Sequence, residues 1–471
     1  MDCLTPRASR IGGTFRTATI GTATIGTATI AGEQGDLLSI DYHGTAWRNR
    51  SGCGARHKAQ PVDAGERKTV APMRWGSGVS DEADLEAAFN VATASIDSRL
   101  AGASVDLVVP FVSEHHMQGF EKLNDLLIAH YPDALIFGCS AKSVIGSGRE
   151  LEKTAGLAIT AAHLPGVSLH PFHLNTDSLP AADAPAADWR DVFGVADGLG
   201  AGFLVLADPF AGNAEQWIAG LDRAYPESVK IGGIASAGMH PGNNWLYLGG
   251  EIHQAGVIGV ALAGNVCIDT VVAQGCRPVG NPMFVTRARD NMLIEVDGES
   301  PAKVLQGIFA QADERERELF QTALFLGIEM RDTQTEYHQG DFLIRNLIGG
   351  EEATGSIYIS APIHETQVVQ FHLRDARTAS DDLERRLRDS ASKLENAEGA
   401  LIFSCLGRGE SLYGENGHDS DLFQRHAGGE LPLSGFFCNG EIGPVQQQTF
   451  LHGYTSAFGI FRPRDGGEEQ G

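Results

Sequence analysis

Four arginines in an otherwise acidic chain have the chemistry to bind a ligand: Arg277, Arg345, Arg374 and Arg408. A guanidinium group binds a carboxylate through two parallel hydrogen bonds. The four residues therefore predict recognition of an amino acid or of another carboxylic acid. An ordinary ion pair is the alternative for each of them, for example Arg374 with Asp375 or Arg408 with Glu441. The sequence leaves both interpretations open.

Two turn-like segments could complete such a site. The first is Gly138-Cys139-Ser140, and the second is Asn439-Gly440-Glu441. An Asn-Gly pair readily adopts positive φ, so backbone amides can converge on an anion there. Glu441 could then bind a ligand ammonium group. A hairpin turn with a solvated glutamate is the alternative for the second segment.

The cysteines and histidines do not form a recognisable catalytic or metal-binding motif. The chain has seven cysteines, none of them in a C-x-x-C pair. This odd, scattered set disfavours a disulfide framework or a structural zinc site and suits the cytoplasm. His115 and His116 are adjacent, which is a poor spacing for binding one metal. A cysteine- or arginine-dependent hydrolase or transferase, for example Cys405 with His452, stays as an alternative. We expect no catalytic residue, metal or cofactor.

The elements that must position these residues follow a pattern used three times. An apolar strand precedes a helix, and a second strand then runs into small residues. The copies span residues 106–141, 203–237 and 400–440. This pattern predicts an α/β fold with mostly parallel or mixed sheets, in which the glycines form ligand-binding turns at strand ends. Strands over 256–262 and 267–273 are predicted to form a hairpin.

Several segments of the chain resemble the FIST family, a two-part sensory module with an N-terminal and a C-terminal domain. The matching segments are residues 137–141, 144–146, 274–280, 285–286, 294–298, 340–346, 371–376, 403–409, 434–444 and 451–455. The resemblance implies signal transduction through binding of a small ligand such as an amino acid. Eukaryotic members carry an F-box, and no F-box-like segment is visible here. We therefore expect a receptor that reports to a separate signalling protein.

The expected domains are a FIST N-like domain over residues 77–281 and a FIST C-like domain over 282–462. Residues 1–76 contain a Thr-Ala-Thr-Ile-Gly repeat and are expected to be disordered, or a gene-model extension before a natural start at Met73. Ordered structure is expected from about Ser80, and residues 463–471 are expected to form an acidic tail. The net charge of −24 disfavours nucleic acid as a partner, and no apolar run is long enough for membrane insertion. A non-catalytic protein-binding scaffold is a third alternative.

Overall fold

The computed structural model describes residues 72–330 and 336–464. The predictions for the arm up to residue 71 and for the tail from 465 lie outside the described residues. The first strand begins at Arg74, earlier than the expected start of order near Ser80. The predicted α/β class with mixed sheets is confirmed.

The strands of the described residues are numbered in chain order. They are β1 (Arg74–Ser80), β2 (Leu107–Ser113), β3 (Leu135–Ala141), β4 (Val144–Gly146), β5 (Arg149–Leu151), β6 (Leu157–His163), β7 (Val167–Leu174), β8 (Gly202–Ala207), β9 (Lys230–Ile234), β10 (Leu246–Leu248), β11 (Glu251–His253), β12 (Val257–Gly264), β13 (Cys267–Ala273), β14 (Cys276–Arg289), β15 (Met292–Val296), β16 (Leu324–Glu329), β17 (Phe342–Glu351), β18 (Ser356–Ile359), β19 (Val368–Arg374), β20 (Gly399–Cys405), β21 (Leu433–Cys438), β22 (Glu441–Val445), β23 (Gln448–His452) and β24 (Ser456–Arg462).

The α-helices of the same residues pack on the outer faces of the sheets and beside the barrel described below. They are α1 (Leu85–Leu100), α2 (Phe120–His130), α3 (Ala186–Phe193), α4 (Ala214–Ala224), α5 (Pro301–Gln311), α6 (Glu314–Thr322), α7 (Ala376–Asp389), α8 (Ala391–Leu394), α9 (Glu410–Tyr413) and α10 (His418–His426). None of the helices in the described residues is long and apolar enough to cross a membrane.

Three six-stranded sheets share one plan. Their strand orders are β1-β6-β2-β3-β10-β11, then β7-β12-β8-β9-β22-β23, then β13-β24-β20-β21-β4-β5. In each sheet the two strands of one sequence copy are parallel neighbours, and the other pairs are antiparallel. The threefold pattern seen in the sequence is therefore a threefold pattern of sheets.

Each sheet also contains a two-stranded hairpin that belongs to another copy, and we call its strands borrowed strands. The strand that follows β3 pairs with β21, the strand that follows β9 pairs with β3, and the strand that follows β21 pairs with β9. The exchange is cyclic and ties the three copies together. Rings from two copies also stack in the shared core, with the centroids of Phe111 and Phe436 4.9 Å apart.

Three glycines of the repeated pattern, Gly138, Gly232 and Gly435, lie inside strands, which corrects the expectation that they form turns. A Cβ atom at Gly138 would lie 2.0 Å from the carbonyl oxygen of Pro110 on the parallel neighbour. A Cβ atom at Gly232 would lie 1.7 Å from the carbonyl oxygen of Val205, and one at Gly435 would lie 1.8 Å from that of Ile402. These glycines let two parallel strands approach closely, and they do not expose amides to a ligand.

The third copy carries an insertion, a closed barrel with the strand order β14-β15-β18-β17-β16-β19. The chain enters the barrel directly after β13, and β19 leads out of it into α7. The predicted boundary between residues 281 and 282 falls within β14, where the register with β19 shifts between Val279 and Met283. The two-domain division stays a prediction.

The predicted hairpin between residues 256–262 and 267–273 is wrong, although both strands exist. β12 pairs with β7 and β8 in the second sheet, whereas β13 pairs with β24 in the third. The short link between them carries the chain from one sheet to another. A short Gly-Asn link has the same local sequence whether it closes a hairpin or connects two sheets. Only the long-range pairing of the strands distinguishes the two structures.

Candidate functional site

The candidate site lies where the barrel joins the third sheet. Arg374 is the last residue of β19, and Cys405 is the last residue of β20. The loop between β23 and β24 brings Tyr454 to the same place, with a left-handed φ of 64°. A left-handed non-glycine residue is uncommon and often marks a functional site. Three separate chain segments therefore meet at this junction.

Arg374 stands against an aromatic ring. Its guanidinium carbon is 4.8 Å from the centroid of the Tyr454 ring, a cation–π geometry. One Nη atom donates to the carbonyl of Gly407, and Nε has no hydrogen-bond partner among the described residues. Tyr454 is itself held by a hydrogen bond from its hydroxyl to Asn346 on β17. Arg374 is 9% exposed as a residue, and its guanidinium group keeps unused donor capacity.

The space around Arg374 is a cleft of about 600 Å³, which we call the barrel cleft. Its lining combines apolar walls with a few polar groups from the barrel and from the third sheet. The lining residues are Phe320, Gln321, Thr322, Ala323, Leu324, Phe325, Asn346, Leu347, Arg374, Gly407, Ser411, Leu412 and Tyr454. Small-molecule sites typically have this size and this mixture of surfaces.

Arg408 lies close to the cleft, and the carboxylate of Asp419 neutralises its charge. Its Nε lies 2.6 Å and its Nη2 3.1 Å from the two carboxylate oxygens of Asp419. Nη2 also donates to the hydroxyl of Tyr413 at 2.6 Å. Both charged side chains are buried, and the guanidinium group keeps the pKa of Asp419 below its usual range although burial opposes this. This pair fixes the loop that follows β20.

Glu441 lies behind the cleft and does not line it. Its side chain is fully buried, and Oε2 accepts a hydrogen bond of 3.0 Å from the amide of Thr455. Burial raises the pKa of Glu441 well above its usual value, while Thr455, Arg408 and Arg374 oppose that rise. The predicted contact between Glu441 and a ligand ammonium group would need the cleft to open further.

The other two arginines lie elsewhere and are paired with acids. Arg277 bonds to Glu316 at 2.9 Å beside a different cleft of the barrel. Arg345 bonds to Glu215 at 3.1 Å, which links the barrel to α4. The suggested pair between Arg374 and Asp375 does not form, since Asp375 caps α7 and pairs with Arg315 and Arg277.

The remaining predicted residues belong to the three-sheet unit. Gly138, Cys139 and Ser140 belong to β3 and are buried, and the Ser140 hydroxyl accepts from the amide of Trp245 at 2.9 Å. Asn439 is exposed and donates to the carbonyl of Ala235 at 3.0 Å. The carbonyl of Gly440 accepts from Ile234. The structure thus does not bring these residues to the barrel cleft.

No thiol–imidazole pair forms at Cys405. Burial, together with the neighbouring Glu441, raises the pKa of its thiol to about 12. His452 bonds to the carbonyl of Gly443 at 3.0 Å, and burial lowers its pKa to about 4. Residues 72–330 and 336–464 contain no group of three or more His, Cys, Asp or Glu side chains placed to hold a metal ion.

Sequence reasoning missed the residues that complete the cleft, above all Tyr454, Asn346 and Ser411. Tyr454 and Asn346 lie within the family-like segments 451–455 and 340–346, so their position in a motif was the available signal. Ser411 and Asp419 lie outside every such segment. Their role depends on the path of the chain after β20, which local sequence does not specify.

Comparisons with known proteins match nearly the whole described chain. The FIST N domain model matches residues 106–299, and the FIST C domain model matches residues 301–444. An uncharacterized protein of Mycobacterium tuberculosis is 33% identical over 390 residues, which are 83% of this chain and 100% of the relative. An uncharacterized protein of Mycobacterium bovis is 32% identical over 396 residues, covering 83% of this chain and 99% of the relative.

A solved structure of a cyanuric acid hydrolase also matches, covering 84% of this chain and 100% of that chain. The sequence identity is 9% and the TM-score is 0.32. A likeness at this level supports no conclusion about fold or activity.

Proposed function

Because this chain belongs to the FIST family of sensory modules, we propose that it is a receptor for a small carboxylic acid, amino acids included. The ligand binds in the barrel cleft with its carboxylate on the guanidinium group of Arg374. The receptor acts in the cytoplasm and passes its signal to a separate protein.

The unpaired charge of Arg374 carries this proposal. The other three motif arginines each have an acidic partner within 3.1 Å: Arg277 has Glu316, Arg345 has Glu215 and Arg408 has Asp419. Among the described residues, Arg374 forms no ion pair with an acidic side chain, and it is 9% exposed. A cation that is nearly buried without a counter-charge is costly, and a ligand carboxylate would remove that cost.

The walls of the cleft define the rest of the ligand. Leu324, Phe325, Leu347 and Leu412 present apolar surface around the single cation. Burial of an apolar ligand body against such walls contributes roughly 25 cal/mol per Å². We therefore expect a carboxylate with an apolar body to bind better than a small, fully polar one.

The position of the cleft suggests how binding becomes a signal. Asn346 belongs to the barrel, whereas Ser411 follows the third sheet, so a ligand in the cleft contacts both. A ligand that contacts both parts favours the arrangement in which both contacts are made. The signal is then a shift in the population of barrel positions, which a partner protein can read.

A thermal-shift screen of amino acids and apolar carboxylates tests the proposal, with 3-phenylpropanoate as the reference probe. We expect concentration-dependent stabilisation by the acid and none by its uncharged amide, because Arg374 requires a carboxylate. Arg374→Met should abolish the shift. Arg277→Met, a motif arginine at another cleft, is the matched control and should retain it.

Two results would overturn the proposal. Stabilisation that survives Arg374→Met would move the site away from the barrel cleft. A ligand-free preparation that none of the carboxylates stabilises would favour the scaffold alternative.

A further inference from the structure

The third copy of the fold differs from the other two at two equivalent positions. The first position lies at the end of the first strand of each parallel pair: it is the last residue of β2 and of β20, and the residue directly after β8. Its amide donates to the carbonyl of the residue just before the closing strand, which is β6, β24 or β12. These amides are those of Ser113 (to Gly156, 2.8 Å), Asp208 (to Gly256, 3.0 Å) and Cys405 (to Thr455, 2.9 Å). The shared hydrogen bond identifies the three residues as structural equivalents.

The second position is the first paired residue of each borrowed strand. The residues there are Val144, Leu246 and Glu441, which pair with Phe436, Cys139 and Gly233. Two copies thus bury an aliphatic side chain at this position, and the third copy buries a carboxyl group. A fully buried carboxyl group in place of Val or Leu is costly, which points to a specific role.

Glu441 has taken over a hydrogen bond that another residue makes in the first copy. There the Ser113 hydroxyl accepts from the amide of Gly156 at 2.9 Å. In the third copy the equivalent amide, that of Thr455, donates to Oε2 of Glu441 at 3.0 Å. The second oxygen, Oε1, has no hydrogen-bond partner among the described residues. The Cys405 thiol beside it, a weak donor, also favours the carboxylate form. Glu441 is therefore poorly satisfied in a fully buried position.

A short series of contacts connects this carboxyl group to the barrel cleft. The guanidinium group of Arg374 lies over the ring of Tyr454, and the next residue, Thr455, binds Glu441. The positive charges of Arg408 and Arg374 both favour the carboxylate form of Glu441 against the larger effect of burial. Arg408 is already neutralised by Asp419, so Arg374 is the cation whose charge a ligand can change.

The remaining groups around Glu441 add no charge that competes with Arg374. The thiols of Cys405 and Cys438 face it, and burial raises the pKa of both. His452 stands opposite Glu441 in the β22–β23 register, and its Nε2 is turned to the carbonyl of Gly443. Burial lowers the pKa of His452 to about 4, so its ring is neutral near neutral pH.

We infer that Glu441 is the proton-linked partner of Arg374: it takes up one proton when an anion binds to Arg374 and releases it when the anion leaves. The inference rests on the proposed function for its ligand. The anion cancels a positive charge that favours the Glu441 carboxylate, so the neutral fraction of the buried group increases. Ligand binding is then tighter at low pH and weakens as the pH rises through the titration of Glu441.

The coupling can be tested without a ligand, because Arg374→Met removes the same charge. Infrared difference spectra would follow the band of the protonated carboxyl group against pH, assigned by its loss in Glu441→Gln. Glu441→Asp, which shifts the band, serves for assignment if Glu441→Gln does not fold. We expect the titration midpoint to move to higher pH in Arg374→Met and to stay unchanged in Arg277→Met. An unchanged midpoint in Arg374→Met would overturn the inference.

Calorimetry with 3-phenylpropanoate tests the same coupling in the full chain. Binding heats measured at one pH in phosphate and in Tris differ when a proton is taken up from the buffer. We expect proton uptake by the wild type within the titration range and none by Glu441→Gln, which should still bind the probe. Equal uptake in both proteins would refute the role of Glu441. Absence of binding by any carboxylate would refute the proposed function, whereas the spectra of Arg374→Met would still decide the coupling.

Discussion

Cys276 and Arg374 are paired in register at the point where β14 enters the barrel and β19 leaves it. The barrel is therefore joined to the three-sheet unit by two adjacent strand ends, and one of them carries the cation of the cleft. Cys276 is buried at this joint, and burial raises the pKa of its thiol to about 12. A ligand bound to Arg374, as proposed, would therefore act directly on the attachment of the barrel.

Gly407 leaves room for the guanidinium group of Arg374, so a small substitution at Gly407 tests whether that group binds the ligand. A Cβ atom at Gly407 would lie 3.0 Å from Nη1 of Arg374. We expect Gly407→Ala to displace the guanidinium group and weaken binding of 3-phenylpropanoate roughly tenfold, about 1.4 kcal/mol, in a calorimetric titration. Gly453→Ala is the control, since a Cβ atom there meets nothing within 4 Å. Equal affinities of the two variants would show that Gly407 does not position Arg374.

The buried pair of Arg408 and Asp419 should dominate the stability of the loop after β20. Asp419→Asn leaves the fully buried guanidinium group without its counter-charge, so we expect a loss of about 3–5 kcal/mol in the free energy of unfolding by urea. Glu384→Gln breaks an exposed pair with Arg388 and should cost only about 0.5 kcal/mol. The double variant Arg408→Met with Asp419→Leu should lose less than Asp419→Asn alone. Similar losses for the buried and the exposed pair would contradict this assignment.

Glu150 should make the protein less stable as the pH rises from about 4.5 to about 7. Burial, with Asp419 nearby, raises its pKa to about 7, although its carboxyl group accepts from the amides of Gly417 and Ser420. The folded state therefore binds a proton more tightly than the unfolded state, and its stabilising effect is complete below the unfolded pKa. It is lost as the pH rises through the folded pKa, by about 3 kcal/mol.

Unfolding by urea across this pH range measures the effect. Glu150→Gln should flatten the pH dependence, whereas Glu365→Gln, at an exposed position, should leave it as in the wild type. A steep fall that persists in Glu150→Gln would assign the titration to another group.

Cys405 should be a slow nucleophile at neutral pH. The residue is partly exposed, but burial of its thiol raises the pKa to about 12, and no imidazole among the described residues activates it. We expect iodoacetamide to label Cys405 no faster than the partly exposed Cys267, with the labelled site identified by peptide mass spectrometry. Rapid stoichiometric labelling of Cys405 would instead favour the hydrolase or transferase alternative.

The threefold pattern could be predicted from the sequence because each copy repeats local signals. Both α2 and α4 end just before a Tyr-Pro pair, and each tyrosine amide donates to a leucine carbonyl four residues back. Pro301 in the first turn of α5 is another local signal of this kind. The cyclic exchange of hairpins could not be predicted, since β4, β10 and β22 pair with residues 107 to 292 positions away along the chain.

The candidate site was predictable only in part for the same reason. The sequence identified Arg374 and Glu441 as candidate ligand-binding residues in motif-like segments. It could not distinguish an arginine that has an acidic partner from one that has none. The partners of Arg277, Arg345 and Arg408 lie 39, 130 and 11 residues away along the chain. A glycine in the sequence is also compatible with two structures, a ligand-binding turn and a close approach of two strands, and Gly138 proved to be the second.

The glycines inside the parallel pairs should be among the least replaceable small residues of the three sheets. Gly435→Ala would place a Cβ atom 1.8 Å from the carbonyl oxygen of Ile402, a backbone atom that cannot move aside. The strands would have to separate, so we expect a destabilisation at or above the upper end of the ~1–3 kcal/mol seen for overpacked cores. Gly138→Ala and Gly232→Ala should behave alike because the three positions are equivalent.

Gly307→Ala is the matched control for this series. Gly307 lies in α5, and a Cβ atom there meets nothing within 4 Å, so alanine should stabilise the helix by about 0.5–1 kcal/mol. Urea unfolding followed by circular dichroism gives all four free energies on one scale. If Gly435→Ala were as stable as Gly307→Ala, the close approach of β20 and β21 would not be a constraint on residue 435. The threefold equivalence of these glycines would then fail as an explanation of the repeated pattern.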